Sequence, residues 1–133
     1  MSAQIPEDYY DLLDKNVVVV LATVMPNGQP QATPVWCDRH GNQVWVNSAL
    51  GRQKDKNMRA HPQVAITAID PTNPYRWLEI RGTVVAYETG SAAEAHINAL
   101  ARKYTDWARY PLPEGEQRCI YKIEPTRVNT SSR

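Results

Sequence analysis

The stretch Asn16-Val-Val-Val-Val-Leu-Ala-Thr-Val24 runs into Met25-Pro-Asn-Gly28 and then into a second extended stretch over residues 30–38. β-Branched residues favour strands, and an Asn-Gly pair favours the tight turn that joins two antiparallel strands. The sequence therefore predicts a β-hairpin with strands at 16–24 and 30–38. A turn at 39–42 then leads into residues 43–47, whose alternating polar and apolar side chains predict a third strand.

Three further strands are predicted at residues 63–70, 75–88 and 118–124, and the last is expected to stop at Pro125. Gly82 interrupts the longest of these strands. A glycine in the middle of a strand is typical of a bulge or of a tight bend where a barrel turns a corner. The strand pattern and Gly82 together favour a sheet that curls into a small antiparallel barrel.

The predicted helices are short and lie between these strands. One begins at Pro6, and a basic one ends near Pro62. A third begins with a capping box, in which Ser91 caps a backbone N–H and Glu94 reaches back, and it continues to about Tyr104. We therefore expect a mainly β (α+β) fold, with six to seven antiparallel strands and a few short helices in a single domain over residues 1–133.

Composition restricts the class of protein. The chain has 133 residues, of which 42% are hydrophobic and 22% are charged, as expected for one globular domain. A formal net charge of +1 argues against a nucleic-acid-binding protein. The longest apolar run, at 17–24, is far shorter than the roughly 20 residues that a membrane-spanning helix needs. The first residues lack the basic and apolar regions of a signal peptide, so we expect a cytoplasmic protein and no membrane partner.

The segment 51–59 concentrates positive charge. It contains the four cations Arg52, Lys54, Lys56 and Arg59 against the single acid Asp55, which gives a net charge of +3 in a chain of +1. Arginine and lysine together suit the phosphate of a small molecule, although a solvated helix face would have the same composition. Residues two apart point to nearly opposite sides of a helix, so one or both of Arg52 and Lys54 must precede the helix or reach around a ligand.

No catalytic constellation is visible in the sequence. The spacing of the three histidines and of Cys37 and Cys119 does not suit a metal, so we expect none, and the nucleophile and phosphate-loop motifs are missing. A protein that holds a hydride-carrying cofactor needs no such constellation. If a tyrosine supplies a proton, the sequence does not choose among Tyr104, Tyr110 and Tyr121. The segment 105–116 is long for a structureless loop and is either a lid or a loop packed on the end of the barrel.

Four motifs carry a resemblance to a known family. They are Leu21-Ala-Thr-Val-Met-Pro-Asn-Gly-Gln-Pro30, Thr33-Pro-Val-Trp36, Val46-Asn-Ser-Ala49 with Gly51-Arg-Gln-Lys-Asp-Lys-Asn57, and Leu78-Glu-Ile-Arg-Gly82. In this order, across residues 10–125, they resemble the flavin-binding split barrel of the pyridoxamine 5'-phosphate oxidase superfamily. The Gly-Arg-x-Lys-x-x-Asn segment and the strand Asn-Pro-Tyr-Arg-Trp-Leu-Glu-Ile-Arg-Gly resemble the deazaflavin (coenzyme F420)-dependent reductases more closely than the flavin mononucleotide (FMN) oxidases.

The resemblance implies a split β-barrel and a homodimer with two cofactor sites at the subunit interface. It implies a hydride transfer from reduced F420 to a conjugated small-molecule acceptor, such as an activated C=C bond. Arg52 and Lys54 would hold the cofactor phosphate, with Lys56 and Asn57 as supports. The residues that match ring-lining positions are Pro34, Val35, Trp36, Asn47, Ser48 and Ala49. Trp77 is either a contact from the partner chain or a tryptophan of the barrel or dimer core.

Two alternatives remain open at this point. One is an FMN-binding oxidase or flavin reductase of the pyridoxamine-phosphate-oxidase type, which would bind its terminal phosphate with the same cations. The other is a protein that binds F420 or a tetrapyrrole without catalysis. A nucleic-acid module on a small barrel is poorly supported, because the chain lacks an extended basic and aromatic stripe.

Overall fold

Seven strands form one antiparallel sheet in the computed structural model, which describes residues 2–132. The strands are β1 (Val19–Val24), β2 (Pro30–Val35), β3 (Cys37–His40), β4 (Gln43–Ala49), β5 (Gln63–Asp70), β6 (Asn73–Thr89) and β7 (Arg118–Thr130). Their order across the sheet is β2-β1-β5-β6-β7-β4-β3. The two edge strands, β2 and β3, are separated in the chain by Trp36 alone, so the sheet must curl until its edges approach each other at that residue. The mainly β fold predicted from the sequence, with six to seven antiparallel strands in a curled sheet, is confirmed.

Three short α-helices accompany the sheet, after one 3₁₀ turn at Glu7–Tyr9. They are α1 (Asp11–Asp14), α2 (Gln53–Ala60) and α3 (Ser91–Tyr104). Helix α2 connects β4 to β5, and α3 connects β6 to β7. None of the helices within residues 2–132 is long and apolar enough to cross a membrane.

The structure corrects two predicted strands. The strand predicted at 30–38 is two strands, because β2 pairs with β1 whereas β3 pairs with β4, and Trp36 lies at the change of partner. The predicted stop at Pro125 was wrong, because β7 continues to Thr130. Pro125 is tolerated because it lies opposite Gly82 at an irregularity in the β6–β7 pairing.

Gly82 is required at this irregularity. A Cβ atom at this position would lie 2.6 Å from the backbone oxygen of Glu124, which is closer than real Cβ contacts. The register steps from the pair Arg81 and Arg127 to the pair Gly82 and Pro125, so no residue of β6 is paired with Thr126 in the ladder. The prediction that Gly82 marks a bend or bulge is therefore confirmed.

The start of α3 differs from the predicted capping box. The residue before the helix is Gly90, with a φ angle of 73°, and no side chain caps the helix. The backbone oxygen of Gly90 accepts the first helical hydrogen bond, from the N–H of Glu94. Ser91 is already inside the first turn, because the positive φ angle of Gly90 turns the chain out of β6 one residue earlier than the motif predicts. The helix itself, to Tyr104, is confirmed.

The concave side of the curled sheet is filled by side chains. Leu12 and Leu13 from α1 pack there against Leu21, Ile66 and Ile80 from the strands, and each of these side chains is almost completely buried. Burial of one such side chain contributes about 1.5–3 kcal/mol relative to an exposed one. Because the core is packed, a ligand has to bind outside it, and the place where the sheet edges meet offers the space.

Candidate functional site

A cavity of about 330 Å³ lies beside Trp36, at the edges of the sheet. Its apolar lining residues are Val18, Pro34, Val35, Trp36 and Ile97, and its polar lining residues are Asn47, Arg52, Lys54, Tyr110 and Arg118. The structure therefore brings together Pro34, Val35, Trp36, Asn47, Arg52 and Lys54, for which the family resemblance implies a cofactor site. The other four lining residues were not predicted as cofactor ligands.

Trp36 is held rigidly on the apolar side of this cavity. Its indole stacks on Tyr104, with ring centroids 5.4 Å apart and planes inclined by 7°, and it meets Trp107 edge-on at 6.4 Å. The Tyr104 hydroxyl donates to the backbone oxygen of Val17 at 2.7 Å and accepts from the N–H of Cys37 at 3.3 Å. Burial raises the pKa of Tyr104, so this hydroxyl stays protonated and acts as a fixed brace for the wall.

Arg52 and Lys54 approach the cavity from different backbone settings. Arg52 precedes α2 in an extended conformation, with φ −66° and ψ 158°, whereas Lys54 lies in the first helical turn. This confirms the prediction that the two cannot both project from one ideal helix. Burial lowers the pKa of Lys54, and the cations Arg52 and Arg118 lower it further. No carboxylate of residues 2–132 forms a salt bridge with Lys54.

Arg118 is a third cation of the cavity, and sequence reasoning missed it. Its side chain is only 4% exposed. Its Nε donates to Asn47 Oδ1 at 2.9 Å, and its Nη1 donates to Glu116 Oε2 at 3.0 Å. A signal was present, because Arg118 opens a strand that continues with the mostly apolar Cys-Ile-Tyr-Lys-Ile and is expected to be buried. An arginine in such a strand is rarely buried unless it is paired.

A hydrogen-bonded chain runs from Arg118 towards the surface. Asn47 Nδ2 donates to the backbone oxygen of Ala93 at 3.1 Å and contacts His96 Nδ1 at 3.0 Å. Since Arg118 and Ala93 fix the orientation of this amide, Nδ1 of His96 must accept and Nε2 must carry the proton. His96 Nε2 then donates to Asp38 Oδ1 at 2.8 Å. Burial raises the pKa of Asp38, but contacts with His96 and His40 outweigh it and lower that pKa overall.

Asp38, His40 and His96 bring three potential metal-ligand atoms within 4.8 Å of one another. A histidine that binds a metal through Nε2 normally carries its proton on Nδ1 and donates it to an acceptor. At His96 the proton is on the other nitrogen, because Nδ1 accepts from the Asn47 amide and Nε2 carries the proton. The hydrogen bonds around His96 thus favour an orienting chain behind Arg118 over a metal centre.

Five predicted site residues lie outside the lining of the cavity. Ser48 and Ala49 are buried in β4, and the Ser48 hydroxyl has no hydrogen-bond partner within residues 2–132. Lys56 is exposed. Asn57 is 1% exposed and its Nδ2 donates to Thr23 Oγ1 at 3.0 Å. Trp77 lines a different, open cavity of about 630 Å³ beside β6 and β7.

Comparisons with known proteins identify the family and the fold of this chain. A solved F420 reductase is 34% identical to the chain and superposes with a TM-score of 0.84, and the match covers 94% of this chain and 98% of that one. A conserved hypothetical protein from Mycobacterium tuberculosis is 20% identical, with a TM-score of 0.70 over 97% of this chain and 85% of that one.

An FMN-binding, pyridoxamine 5'-phosphate oxidase-related protein from Nostoc punctiforme is 15% identical, with a TM-score of 0.65 over 86% of this chain and 74% of that one. At such low identities the last two matches show the fold alone. No curated protein gives a significant match. The family model described as pyridoxamine 5'-phosphate oxidase matches residues 5–132. With a match over almost its whole length, the chain belongs to the pyridoxamine 5'-phosphate oxidase family.

Proposed function

We propose that this protein is an F420-dependent reductase that binds the deazaflavin in the cavity beside Trp36. The observation that carries the proposal is the lining of that cavity, where an apolar wall adjoins the three cations Arg52, Lys54 and Arg118. The family and the F420 reductase match point to an oxidoreductase with a flavin-type cofactor. The 34% identity to that reductase favours F420 over FMN.

The residues of the cavity fit the two ends of such a cofactor. Pro34, Val35 and Trp36 offer a rigid apolar wall for a flat ring system. Arg52 and Lys54 offer a guanidinium and an ammonium for a phosphate, and within residues 2–132 no acid forms a salt bridge with Lys54. Reduced F420 supplies a hydride when bound, and the acceptor is a conjugated small molecule. The protein's part is to hold the ring, exclude water from its apolar side and neutralise the phosphate.

The proton that completes the reduction comes from solvent or from Tyr110 in this proposal. Of the three candidate tyrosines, Tyr110 lines the cavity. Tyr104 braces Trp36, and the hydroxyl of Tyr121 donates to Asp55 Oδ1 at 2.6 Å inside the protein. Burial and the contact with Asp55 raise the pKa of Tyr121, so it keeps its proton.

The outer face of the sheet supports a homodimer with cofactor sites at the interface. Val18 and Val20 on this face are 51% and 39% exposed, and Ile69, which pairs with Trp77, is 47% exposed. Val18 also lines the cavity beside Trp36, so a partner that covers this face would border the cavity. Trp77 of the second subunit is our candidate for a contact with the ligand. Light scattering of the purified protein would test the dimer.

The experiment that tests the function is a titration of the purified protein with oxidised F420 and, separately, with FMN, followed by ring fluorescence at fixed salt. We expect micromolar or tighter binding of F420 and much weaker binding of FMN. Oxidation of reduced F420 in the presence of a panel of conjugated acceptors then tests catalysis. Tight F420 binding without turnover of any acceptor would instead support a carrier protein.

FMN is the second candidate cofactor, because the same three cations suit its terminal phosphate. A preference for FMN in the titration would make the protein a flavin-dependent oxidase or reductase. Binding of neither compound would overturn the cofactor assignment and leave another flat ligand, such as a tetrapyrrole, for the apolar wall.

A further inference from the structure

The Glu116 carboxylate lies among the polar groups of the cavity. Its Oε2 accepts hydrogen bonds from Arg118 Nη1 and from the Tyr110 hydroxyl, each at 3.0 Å. Its Oε1 lies 3.4 Å from Nη2 of Arg52. Three donors from three separate parts of the chain therefore converge on one carboxylate, which is 14% exposed.

This arrangement contains more positive than negative charge. Arg52, Lys54 and Arg118 all line the same cavity. Arg52 and Arg118 both contact Glu116, and both lower the pKa of the neighbouring Lys54. Within residues 2–132, Glu116 is the acid that pairs with Arg52 and with Arg118. One carboxylate against three cations leaves a net charge of +2, which a bound anion would neutralise.

The carboxylate comes from an exposed loop, whereas Arg118 belongs to a buried strand. Glu116 follows a turn in which its N–H donates to the backbone oxygen of Pro113 at 3.1 Å, and Gly115 adopts a φ angle of 80°. Residues 111–115 are exposed. The loop can therefore withdraw Glu116 without disturbing the sheet, while the bond to Asn47 keeps Arg118 in place.

We propose that Arg118, Arg52 and the Tyr110 hydroxyl form an anion subsite for a phosphate or carboxylate group of the ligand, and that Glu116 fills this subsite in the free protein. A ligand must then displace Glu116 to reach the two guanidinium groups, so Glu116 weakens the binding of every anion that uses them. That the cofactor uses this subsite rests on the proposed function, but the subsite itself can be probed without any cofactor.

The test compares Glu116→Gln with Glu114→Gln, which removes the same charge from an exposed position of the same loop. Inorganic phosphate is titrated into the wild type and both variants, followed by the rise in melting temperature. We expect phosphate to bind Glu116→Gln about tenfold more tightly than the wild type, because a competing charge-assisted contact is lost. Glu114→Gln should behave like the wild type.

Equal phosphate binding by all three proteins would overturn the proposal, and so would weaker binding by Glu116→Gln, which would mean that Glu116 positions the arginines for the ligand. Adding Arg118→Lys to Glu116→Gln should abolish the gain, which separates a subsite effect from a change in fold stability. F420 and FMN are titrated in parallel. If neither binds but the phosphate effect is present, the proposed function fails while the subsite stands.

Discussion

The segment 51–59 has an inner and an outer side with opposite properties. On the inner side, Asp55 is 4% exposed and accepts hydrogen bonds from the N–H of Gly51 at 2.9 Å, from the Tyr121 hydroxyl at 2.6 Å and from Arg59 Nε at 2.8 Å. On the outer side, Arg52 and Lys54 border the cavity, and Lys54 has no acid partner within residues 2–132.

The difference separates charged groups that already stabilise the fold from charged groups that are still able to bind a ligand. The polar groups of Asp55 are fully paired inside the protein, so they stabilise the position of α2 on the sheet. Lys54 is partly desolvated beside other cations, which is unfavourable in the free protein and is relieved when an anion binds. If the proposed function is right, residues of the same charged segment serve stability on one side and ligand binding on the other.

The largest expected effect tests the outer side. Arg52→Ala combined with Lys54→Ala should weaken cofactor binding by about 3–6 kcal/mol, because each charge-assisted contact to a phosphate contributes roughly 1.5–3 kcal/mol. The measurement is the fluorescence titration with F420 at fixed salt. The melting temperature of the free variant should not fall, since neither side chain is part of the core. An unchanged affinity would contradict the site assignment.

The inner side should respond in stability instead. Asp55→Asn should lower the free energy of unfolding by about 2–4 kcal/mol, because the new amide presents N–H groups to donors that lose their acceptor. Urea unfolding measures this loss of stability, with the exposed Asp106→Asn as a control that should change little.

The same carboxylate makes stability depend on pH. Burial raises the pKa of Asp55, but its hydrogen bonds lower that pKa overall. The stabilisation is therefore complete above the ordinary carboxyl pKa and should disappear as pH falls through the depressed value.

The difference between the two sides of the segment 51–59 could be predicted from the sequence only in part. The strands, the turn glycines and the basic segment are local patterns, so the fold class and the hypothesis of an anion site at Arg52 and Lys54 followed from them. Arg118 was missed because its role depends on Asn47 and Glu116, which only the β4–β7 pairing and the loop bring to it. Asn57 was placed with the ligand-binding residues on the strength of a family motif, but side-chain direction on α2 puts it against β1.

A smaller effect should appear in the pH dependence of binding. The pKa of Lys54 lies below its ordinary value of 10.5 because of burial and the neighbouring cations. An anion favours the protonated amine, so phosphate affinity should be greatest below this pKa and should fall by up to about tenfold per pH unit above it. In Lys54→Arg the guanidinium keeps its proton, so this loss should disappear. If phosphate affinity fell equally with rising pH in the wild type and in Lys54→Arg, Lys54 would not contact the anion.

The smallest expected effect belongs to Lys56, which is exposed on α2 and lies outside the cavity lining. Lys56→Ala removes the same charge as Lys54→Ala from a position two residues away, so comparing the two separates contact from long-range attraction. A screened, exposed cation contributes about 0–0.5 kcal/mol, and its contribution should vanish at high salt. The loss for Lys54→Ala should largely survive high salt, because Lys54 is partly buried in the lining of the cavity. Equal losses for both variants would mean that the segment attracts anions only through its net charge.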